Sequence, residues 1–222
     1  MKIVLFIIIF NLSFIYGKLP NDVRWARESK EYKALCHQVY NNATNKLVKK
    51  LVPNNYSLNI IHNNYAVVMD LDETVLDNSD YQVMLFDKNE NFNPKSWDEW
   101  VLKENAKLVP GSLDYINFLR ENNIQIIFIS NRMDNRVEET KNNLKKLGIY
   151  SDRDIYLLRI DKTDKKTIRR SEIFNSTGRM KKYKNFKVIQ YLGDAIGDFE
   201  NQNLDRFGLD NFIFPNPMYG KW

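Results

Sequence analysis

Two aspartates separated by one residue follow a short apolar run in the segment VVMDLDETVLDNS, residues 67–79. The run predicts a buried strand that delivers Asp70 and Asp72 to the edge of a sheet. Because side chains two apart on a strand point the same way, both carboxylates could face one spot. Two carboxylates there favour a hard cation or a shared proton. The pair alone is a weak indication, since the same spacing occurs in acidic loops and in metal-binding glycosyltransferases.

Polar residues also follow two later apolar runs, and others lie near the start of one predicted helix. They are Ser130-Asn131-Arg132 after IQIIFI, Gly193-Asp194 and the nearby Asp198 after KVIQYL, and the pair Lys165-Lys166 in between. Carboxyl ends of parallel strands meet at one edge of an open α/β sheet, and ligands bind there. We therefore expect these side chains to converge with the aspartate pair, although each fragment by itself has an ordinary explanation as a turn, a helix cap or a solvated side chain.

To position these residues, the chain must alternate strands with helices, and its pattern does so. Strands are predicted at 65–70, 124–130, 154–158, 187–192 and 211–214; helices are predicted at 21–52, from Asn93-Pro94 onward, and at 112–119, 134–147 and 164–174, with a long polar segment before residue 93. Strand–helix alternation predicts an α/β fold with a parallel sheet and flanking helices. We expect one domain over residues 18–222, in which 18–60 and 77–110 contribute a small, mostly helical accessory lobe.

The composition is that of a globular chain. It has 222 residues, of which 43% are hydrophobic, and a formal net charge of +5. The charge permits an anionic partner, but the lysines are spread along predicted helices, so we expect a small molecule and no nucleic acid. The single cysteine, Cys36, excludes an internal disulfide.

Residues 1–17 have the pattern of a secretory signal peptide, with Lys2, an apolar run and Gly17. As a helix, the run of 14 residues would reach about 21 Å, short of a bilayer core of about 30 Å. We therefore expect a secreted, extracytoplasmic protein without a stable membrane anchor once the signal is cleaved; an uncleaved anchor is the alternative. After residue 17, Asn-x-Ser/Thr triplets, which matter only in a eukaryotic secretory pathway, begin at Asn42, Asn55 and Asn175.

Five strings of the sequence together resemble one family. VVMDLDETVLDNS, FISNR, KTIRR, YLGDAIGDF and the terminal PNPMYGKW are similar to the class C acid phosphatases, subfamily IIIB of the haloacid dehalogenase (HAD) superfamily. The similarity runs from about residue 22 to 222 and is most specific around 66–81 and 191–199. It implies a HAD-like, Rossmann-type sheet and a secreted, Mg²⁺-dependent acid phosphatase that hydrolyses phosphomonoesters, with nucleoside monophosphates as the favoured class.

The resemblance implies four residues that act on the phosphate. Asp70 would attack phosphorus and form an aspartyl-phosphate, and Asp72 would protonate the leaving alcohol and then activate water. Ser130 would donate a hydrogen bond to a phosphoryl oxygen, and Lys166 would place positive charge between Asp70 and the phosphate. Lys165 is the alternative lysine, but Lys166 keeps the lysine-to-arginine spacing of the family.

The resemblance also implies a magnesium site. The Asp70 carboxylate, the Asp72 backbone carbonyl and the Asp194 carboxylate would hold the ion, and Asp198 would support the waters bound to it. One position departs from the family, which usually has Gly-Asp-Asn where this chain has Ala195 in third place. The loss of that amide puts loop order or metal affinity in doubt.

Substrate binding would fall to Asn131, Arg132, Trp97 and Tyr219. In nucleotide-cleaving relatives, aromatic side chains at positions matching the last two sandwich the base, and such stacking tolerates any base. The alternatives are core packing for the aromatic residues and a surface salt bridge for Arg132.

Three functions fit this sequence: the nucleotide-cleaving acid phosphatase, a broad phosphomonoesterase or phosphotransferase without a base preference, and a non-catalytic binding or storage protein on the same scaffold. The intact Asp70 counts against the third. Other phosphatase chemistries fit poorly. His37 and His62 lack the setting of a histidine phosphatase, and Asn42 stands where a cysteine phosphatase that used Cys36 would need an arginine.

Overall fold

The computed structural model describes residues 18–51 and 64–220. Its strands, numbered in chain order, are β1 (Tyr65–Met69), β2 (Leu76–Asp77), β3 (Lys107–Leu108), β4 (Gln125–Met133), β5 (Ile155–Arg159), β6 (Lys187–Gly193) and β7 (Asn211–Ile213). Five of them form one sheet in the order β5-β4-β1-β6-β7, and every pairing in it is parallel. The other two, β2 and β3, form a separate antiparallel pair. The prediction of an α/β fold with a parallel sheet is confirmed.

In the part of the chain that the structure describes, the α-helices are α1 (Asn21–Glu28), α2 (Lys30–Leu51), α3 (Ser79–Asp87), α4 (Pro94–Leu102), α5 (Ser112–Glu121), α6 (Val137–Lys146) and α7 (Lys166–Asn175). Short 3₁₀ turns lie at Asp134–Arg136, Gly178–Met180, Ile196–Asp198 and Leu204–Arg206. None of the helices described here is long and apolar enough to span a bilayer. The predicted signal segment 1–17, the triplet at Asn55 and residues 52–60 of the expected lobe lie outside the described residues.

The central strand β1 is buried on both faces. Val67 and Met69 join a large core with α2 and α5, whereas Ala66 and Val68 join a smaller core with α7. On its two edges β1 pairs with β4 and with β6. This burial explains the continuous apolar run in the sequence. It also places Asp70, the residue after β1, in the middle of the sheet's carboxyl edge.

The N-terminal helical stretch is interrupted, so the prediction of one helix over 21–52 is wrong. Ser29 is extended between α1 and α2. Its Oγ accepts a hydrogen bond from the Tyr32 N–H at 3.0 Å, and the serine thereby caps the start of α2. The helix then packs on the sheet, where Gln190 Nε2 of β6 donates to the Ala43 carbonyl at 2.9 Å.

A helix also lies in the long polar segment before residue 93, where no individual helix was predicted. α3 begins directly after Asn78 and buries Tyr81 and Leu85, which are four residues apart. The sequence pattern did not reveal this helix because polar neighbours surround a narrow apolar stripe, although such a stripe is enough to bury one helix face. Arg27 of α1 pairs with Asp80 of α3 and holds these two helices together.

The helix predicted from Asn93-Pro94 is present as α4. The Asn93 side chain accepts a hydrogen bond from the Ser96 N–H at 2.8 Å, and Pro94 fits the first turn, where no N–H is needed. Buried residues of α1, α3 and α4 belong to the same core cluster as β1 and α5. The described parts of the segments expected as an accessory lobe therefore share the core of the sheet.

Candidate active site

Asp70 lies directly after β1 and is 9% exposed. Its Oδ1 accepts a hydrogen bond from the Leu71 N–H at 2.8 Å, and its Oδ2 lies 2.8 Å from Lys166 Nζ. Lys166 opens α7 and also reaches Asp198 Oδ1 at 2.5 Å. Lys165 precedes the helix and is exposed. The structure therefore brings Lys166, and not Lys165, to the aspartates.

Three carboxylates gather at this edge of the sheet. Oxygens of Asp70, Asp194 and Asp198 lie within 4.8 Å of one another. Burial, reinforced by the charge of Asp198, raises the pKa of Asp194 to about 6. Burial also raises the pKa of Asp70 well above its ordinary value, although Lys166 opposes the shift. One ammonium group cannot balance three carboxylates at this distance, so protonation is favoured when no other cation is near.

This donor set fits a hard divalent cation. Carboxylate oxygens are the ligands that Mg²⁺ prefers, and its charge would offset the excess negative charge of the cluster. Both Asp198 oxygens already have donors: Oδ1 contacts Lys166, and Oδ2 accepts a hydrogen bond from the Ala195 N–H at 3.0 Å. Asp194 has a side-chain donor on Oδ2 and is therefore better placed than Asp198 to hold the ion. The family resemblance assigns Asp70 to the ion as well, and Asp198 has the contacts of a supporting residue.

The loop after β6 presents Asp194 and Asp198 through its backbone. A Cβ added at Gly193 would lie 2.4 Å from atoms of the Asp198 side chain, so glycine is required at this close approach. The Ala195 N–H anchors the loop to Asp198 Oδ2 at 3.0 Å, and the Ala195 side chain is exposed. The amide that the family usually carries at position 195 is therefore not needed for this anchor.

Asp72 lies in a different setting. Its carboxylate accepts hydrogen bonds from Asn78 Nδ2 at 2.9 Å, Arg132 Nε at 2.9 Å and Ser130 Oγ at 3.3 Å. Arg132 Nη2 completes the ion pair at 2.8 Å. Arg132 is only 2% exposed. It is therefore not a surface salt bridge, and its contacts hold Asp72 in place where the sequence suggested a contact with substrate.

Ser130 and Asn131 are adjacent in β4 but reach different partners. Ser130 is fully buried, and its Oγ accepts a hydrogen bond from the Arg132 N–H at 3.1 Å while donating to Asp72. Asn131 is exposed, and its Oδ1 accepts from Arg169 Nη2 at 2.8 Å. Ser130 thus joins the cluster around Asp72, whereas Asn131 lies against the start of α7.

Asn78 links Asp72 to α4. Its backbone N–H donates to Glu73 Oε1 at 2.8 Å, and its Oδ1 accepts a hydrogen bond from Trp100 Nε1 at 2.9 Å. Asn78 is fully buried, and Trp100 is 4% exposed. Asn78 therefore organises the loop after β1, and Trp100 is a core residue.

The two aromatic residues expected at the substrate site make different contacts: Tyr219 contacts the loop after β1, and Trp97 contacts Arg132, the partner of Asp72. The Trp97 ring lies 5.1 Å from the Tyr81 ring and 5.8 Å from the guanidinium carbon of Arg132. The Tyr219 hydroxyl donates to Glu73 Oε2. Both rings are half-buried, so each packs on the core and also keeps an accessible part.

Glu73 is one of three supporting residues that the sequence did not single out. It is 1% exposed, has a positive φ of 56°, and receives hydrogen bonds from Asn78 and Tyr219. Burial, reinforced by the charges of Asp72 and Asp194, raises the pKa of Glu73 well above its ordinary value.

Arg169 is the second supporting residue that the sequence did not single out, and Asn216, which contacts Asp194, is the third. Arg169 is fully buried and donates from Nη1 to the carbonyls of Ser130 at 2.5 Å and Leu157 at 3.2 Å. These bonds tie the first turn of α7, and with it Lys166, to the ends of β4 and β5. The string KTIRR contained a signal for Arg169, because it lies one helical turn after Lys166.

Comparison with known families decides the relationship of this chain. A family model described as HAD superfamily, subfamily IIIB (Acid phosphatase), matches residues 16–222. The chain belongs to this family. The resemblance found in the sequence motifs is thereby confirmed over the whole of residues 22–222, for which it was expected.

Solved structures agree with this placement, and curated plant proteins are also similar to the chain. The class C acid phosphatase from Bacillus anthracis is 30% identical, with a TM-score of 0.73 over 89% of this chain and 83% of that chain, and its structure with tungstate bound gives 0.75. The Stem 31 kDa and Stem 28 kDa glycoproteins of Glycine max are 27% and 30% identical over 164 and 160 residues. Each of these two matches covers 72% of this chain but only 61% of the relative's length.

Proposed function

We propose that this member of the family is a Mg²⁺-dependent acid phosphatase that hydrolyses phosphomonoesters through an aspartyl-phosphate. The observation that carries the proposal is the division at the end of β1. Asp70 touches Lys166 beside two further aspartates, whereas Asp72 is held by Arg132. The tungstate in the Bacillus anthracis structure, a tetrahedral oxyanion, supports a phosphoryl group as the substrate of such a site.

In the first half of the reaction, the Asp70 carboxylate attacks phosphorus while the bond from phosphorus to the leaving oxygen breaks. Lys166, 2.8 Å from Asp70 Oδ2, provides positive charge where phosphate oxygens would approach the nucleophile. Bound Mg²⁺ would neutralise further charge between the carboxylate and the phosphate dianion. Asp70 and Asp194 would hold it with their carboxylates, and family resemblance adds the Asp72 carbonyl.

Asp72 performs the proton transfers in this proposal. It gives its proton to the leaving alcohol, and in the second half it takes a proton from the water that attacks the aspartyl-phosphate. Phosphate then leaves and Asp70 is restored. Hydrogen bonds from Arg132, Asn78 and Ser130 already fix the orientation of the Asp72 carboxylate. No conformational entropy is therefore lost by ordering this side chain during the reaction.

Nucleoside monophosphates are the substrate class that we propose. Tyr219 contacts Glu73 in the loop that carries Asp72, and Trp97 contacts Arg132, the partner of Asp72. Each has a half-buried ring able to stack on a base. Trp97→Ala and Tyr219→Ala should lower activity on nucleotides more than activity on a simple alkyl phosphate. Unchanged ratios in both variants would instead favour a broad phosphomonoesterase or phosphotransferase.

The test of the proposed activity is phosphate release by the purified protein from several nucleoside monophosphates and sugar phosphates over pH, with and without EDTA. We expect release in the acidic range that EDTA abolishes and added Mg²⁺ restores. Asp70→Asn should be inactive under the same conditions. Absence of release by the wild type, or equal release by Asp70→Asn, would refute the proposal.

A non-catalytic binding or storage role is the second candidate. It is favoured by the similarity to Vegetative storage protein 1 of Arabidopsis thaliana, which is 26% identical over 68% of this chain and 54% of the relative. The intact cluster of Asp70, Lys166 and Asp194 argues for turnover. Calorimetry that shows tight nucleotide binding without phosphate release would establish the second role.

We also propose that the protein acts outside the cytoplasm, on the pattern of residues 1–17. Mass spectrometry of the protein recovered from the medium of expressing cells should give an N-terminus near residue 18. Retention of the full chain inside the cells would contradict secretion, and retention in membranes would indicate an uncleaved anchor.

A further inference from the structure

The segment that follows β7 crosses back over the carboxyl edge of the sheet and is anchored at both ends. At its start, the Phe214 N–H donates to the Gly193 carbonyl at 2.9 Å, and the Phe214 side chain is 2% exposed. At its other end, the Tyr219 hydroxyl donates to the buried Glu73. The residues between these anchors are therefore held next to the loop that carries Asp194.

Asn216 lies between the anchors with its side-chain amide in a fixed orientation. Its Oδ1 accepts a hydrogen bond from the Met218 N–H at 3.1 Å, and its Nδ2 donates to Asp194 Oδ2 at 2.7 Å. A backbone N–H can only donate and a carboxylate can only accept, so the amide fits in one orientation. Pro215 and Pro217 restrict the backbone on either side.

Each aspartate of the cluster has its own orienting donors. Asp70 receives the Leu71 N–H and Lys166, and Asp198 receives Lys166 and the Ala195 N–H. For Asp194 the side-chain donor is Asn216, which comes from a segment 22 positions further along the chain.

We propose that Asn216 is a positioning residue for a bound divalent cation: it engages Asp194 Oδ2 and thereby leaves Oδ1 to face the metal. The inference rests on the proposed function insofar as that function places Mg²⁺ between Asp70 and Asp194. Groups that hydrogen-bond metal ligands orient them, and their loss typically weakens metal affinity by about 10- to 100-fold.

The test compares two variants of Asn216 in the full chain. Asn216→Ser keeps a side-chain oxygen that can accept from the Met218 N–H, but it is too short to reach Asp194. Asn216→Ala removes both contacts. Titration calorimetry with Mg²⁺, without substrate, should show affinity about 10- to 100-fold weaker than wild type in both variants. In EDTA, Asn216→Ser should unfold at the same temperature as wild type.

Asn203→Ser is the matched control. The Asn203 side chain makes the same kind of local contact, with its Oδ1 3.2 Å from the Asp205 N–H, in an exposed turn. It should bind Mg²⁺ like the wild type. Wild-type Mg²⁺ affinity in Asn216→Ser would overturn the inference, even if Asn216→Ala unfolded early, because Asn216 would then serve the turn alone.

Activity separates this inference from the proposed function. With Asn216→Ser, phosphate release should approach the wild-type rate as Mg²⁺ is raised to saturation, and should fall below it when Mg²⁺ is limiting. A wild type that binds Mg²⁺ and releases no phosphate would refute the proposed function, while weaker binding by the variants would still support the role of Asn216. A wild type that binds no Mg²⁺ would overturn the inference.

Discussion

Asp70 and Asp72 leave the same strand two residues apart, yet they lie in opposite electrostatic surroundings. Asp70 shares its site with two further carboxylates and one ammonium group, whereas Asp72 faces one guanidinium and two neutral donors. The neighbouring strands explain the difference. β6 lies on one side of β1 and leads to Asp194, and β4 lies on the other side and carries Arg132. Spacing brings both aspartates to one edge, and the neighbouring strand decides the chemistry of each.

The largest effect is expected from replacing the two aspartates themselves. Asp70→Asn should lower phosphate release by at least about 10⁴-fold for every ester, because an amide does not attack phosphorus. Asp72→Asn should cost about 10²- to 10⁴-fold for nucleotides and less for p-nitrophenyl phosphate, whose phenolate leaves without a proton. Initial rates on the two esters measure the difference.

Asp114→Asn serves as the control for this pair, since Asp114 is exposed on α5, and it should leave both rates unchanged. The division of roles fails if Asp72→Asn lowers the rates on both esters equally, or if Asp70→Asn distinguishes between them.

A smaller effect is expected from removing the positively charged side chain beside each aspartate, Arg132 beside Asp72 and Lys166 beside Asp70. Arg132→Met leaves the Asp72 carboxylate without its partner at a site where the two side chains are 1% and 13% exposed, which should cost about 3–5 kcal/mol of unfolding free energy. Lys166→Met should also destabilise the protein in EDTA, because the buried negative charges of Asp70 and Asp198 then lose their ammonium partner. Urea unfolding measures both losses.

Magnesium should separate these two variants. It should restore much of the stability of Lys166→Met, because the ion supplies positive charge to the same carboxylates, and it should do little for Arg132→Met. Equal rescue of both variants would show that the two sides are not electrostatically separate. Thr140→Val, which removes the 3.4 Å contact from Arg132 Nη1 but leaves the ion pair, is a milder control on the Arg132 side.

The glycine before Asp194 gives a third way to disturb one side alone. A Cβ in Gly193→Ala would overlap the Asp198 side chain, and the displacement should cost about 1–3 kcal/mol and weaken Mg²⁺ binding. Gly197→Ala is the matched control in the same loop, because a Cβ there meets nothing within 4 Å. Gly193→Ala should have a lower unfolding temperature and a weaker Mg²⁺ affinity than Gly197→Ala. Equal values for the two variants would mean that the loop can shift to accommodate the added methyl group.

Sequence signals predicted those features that are local. Apolar runs revealed the strands of the sheet, and polar residues near their ends predicted side chains that the structure brings together at the candidate site. The helix break at Ser29 was not predicted because it depends on a single serine cap. Helix α3 was not predicted because only a narrow apolar stripe on it is buried. Asn216–Asp194 and Tyr219–Glu73 join residues 22 and 146 positions apart, and nothing near either residue marks its partner. Likewise, β4 showed an arginine at its end but not its contact with Asp72.

The smallest effect is expected from restoring the family's usual residue at position 195. The Ala195 N–H, 3.0 Å from Asp198 Oδ2, anchors the loop, and an asparagine would keep this bond while adding an amide in solvent. Ala195→Asn should therefore leave Mg²⁺ affinity and phosphate release within about twofold of wild type, as surface substitutions usually do. Ala195→Pro removes the N–H at a backbone φ of −129° and should weaken Mg²⁺ binding strongly. A gain of about tenfold in Mg²⁺ affinity with Ala195→Asn would show that the added amide reaches the metal ligands, as supporting groups of this kind can. It would also show that alanine at this position lowers the Mg²⁺ affinity of the carboxylate cluster around Asp70.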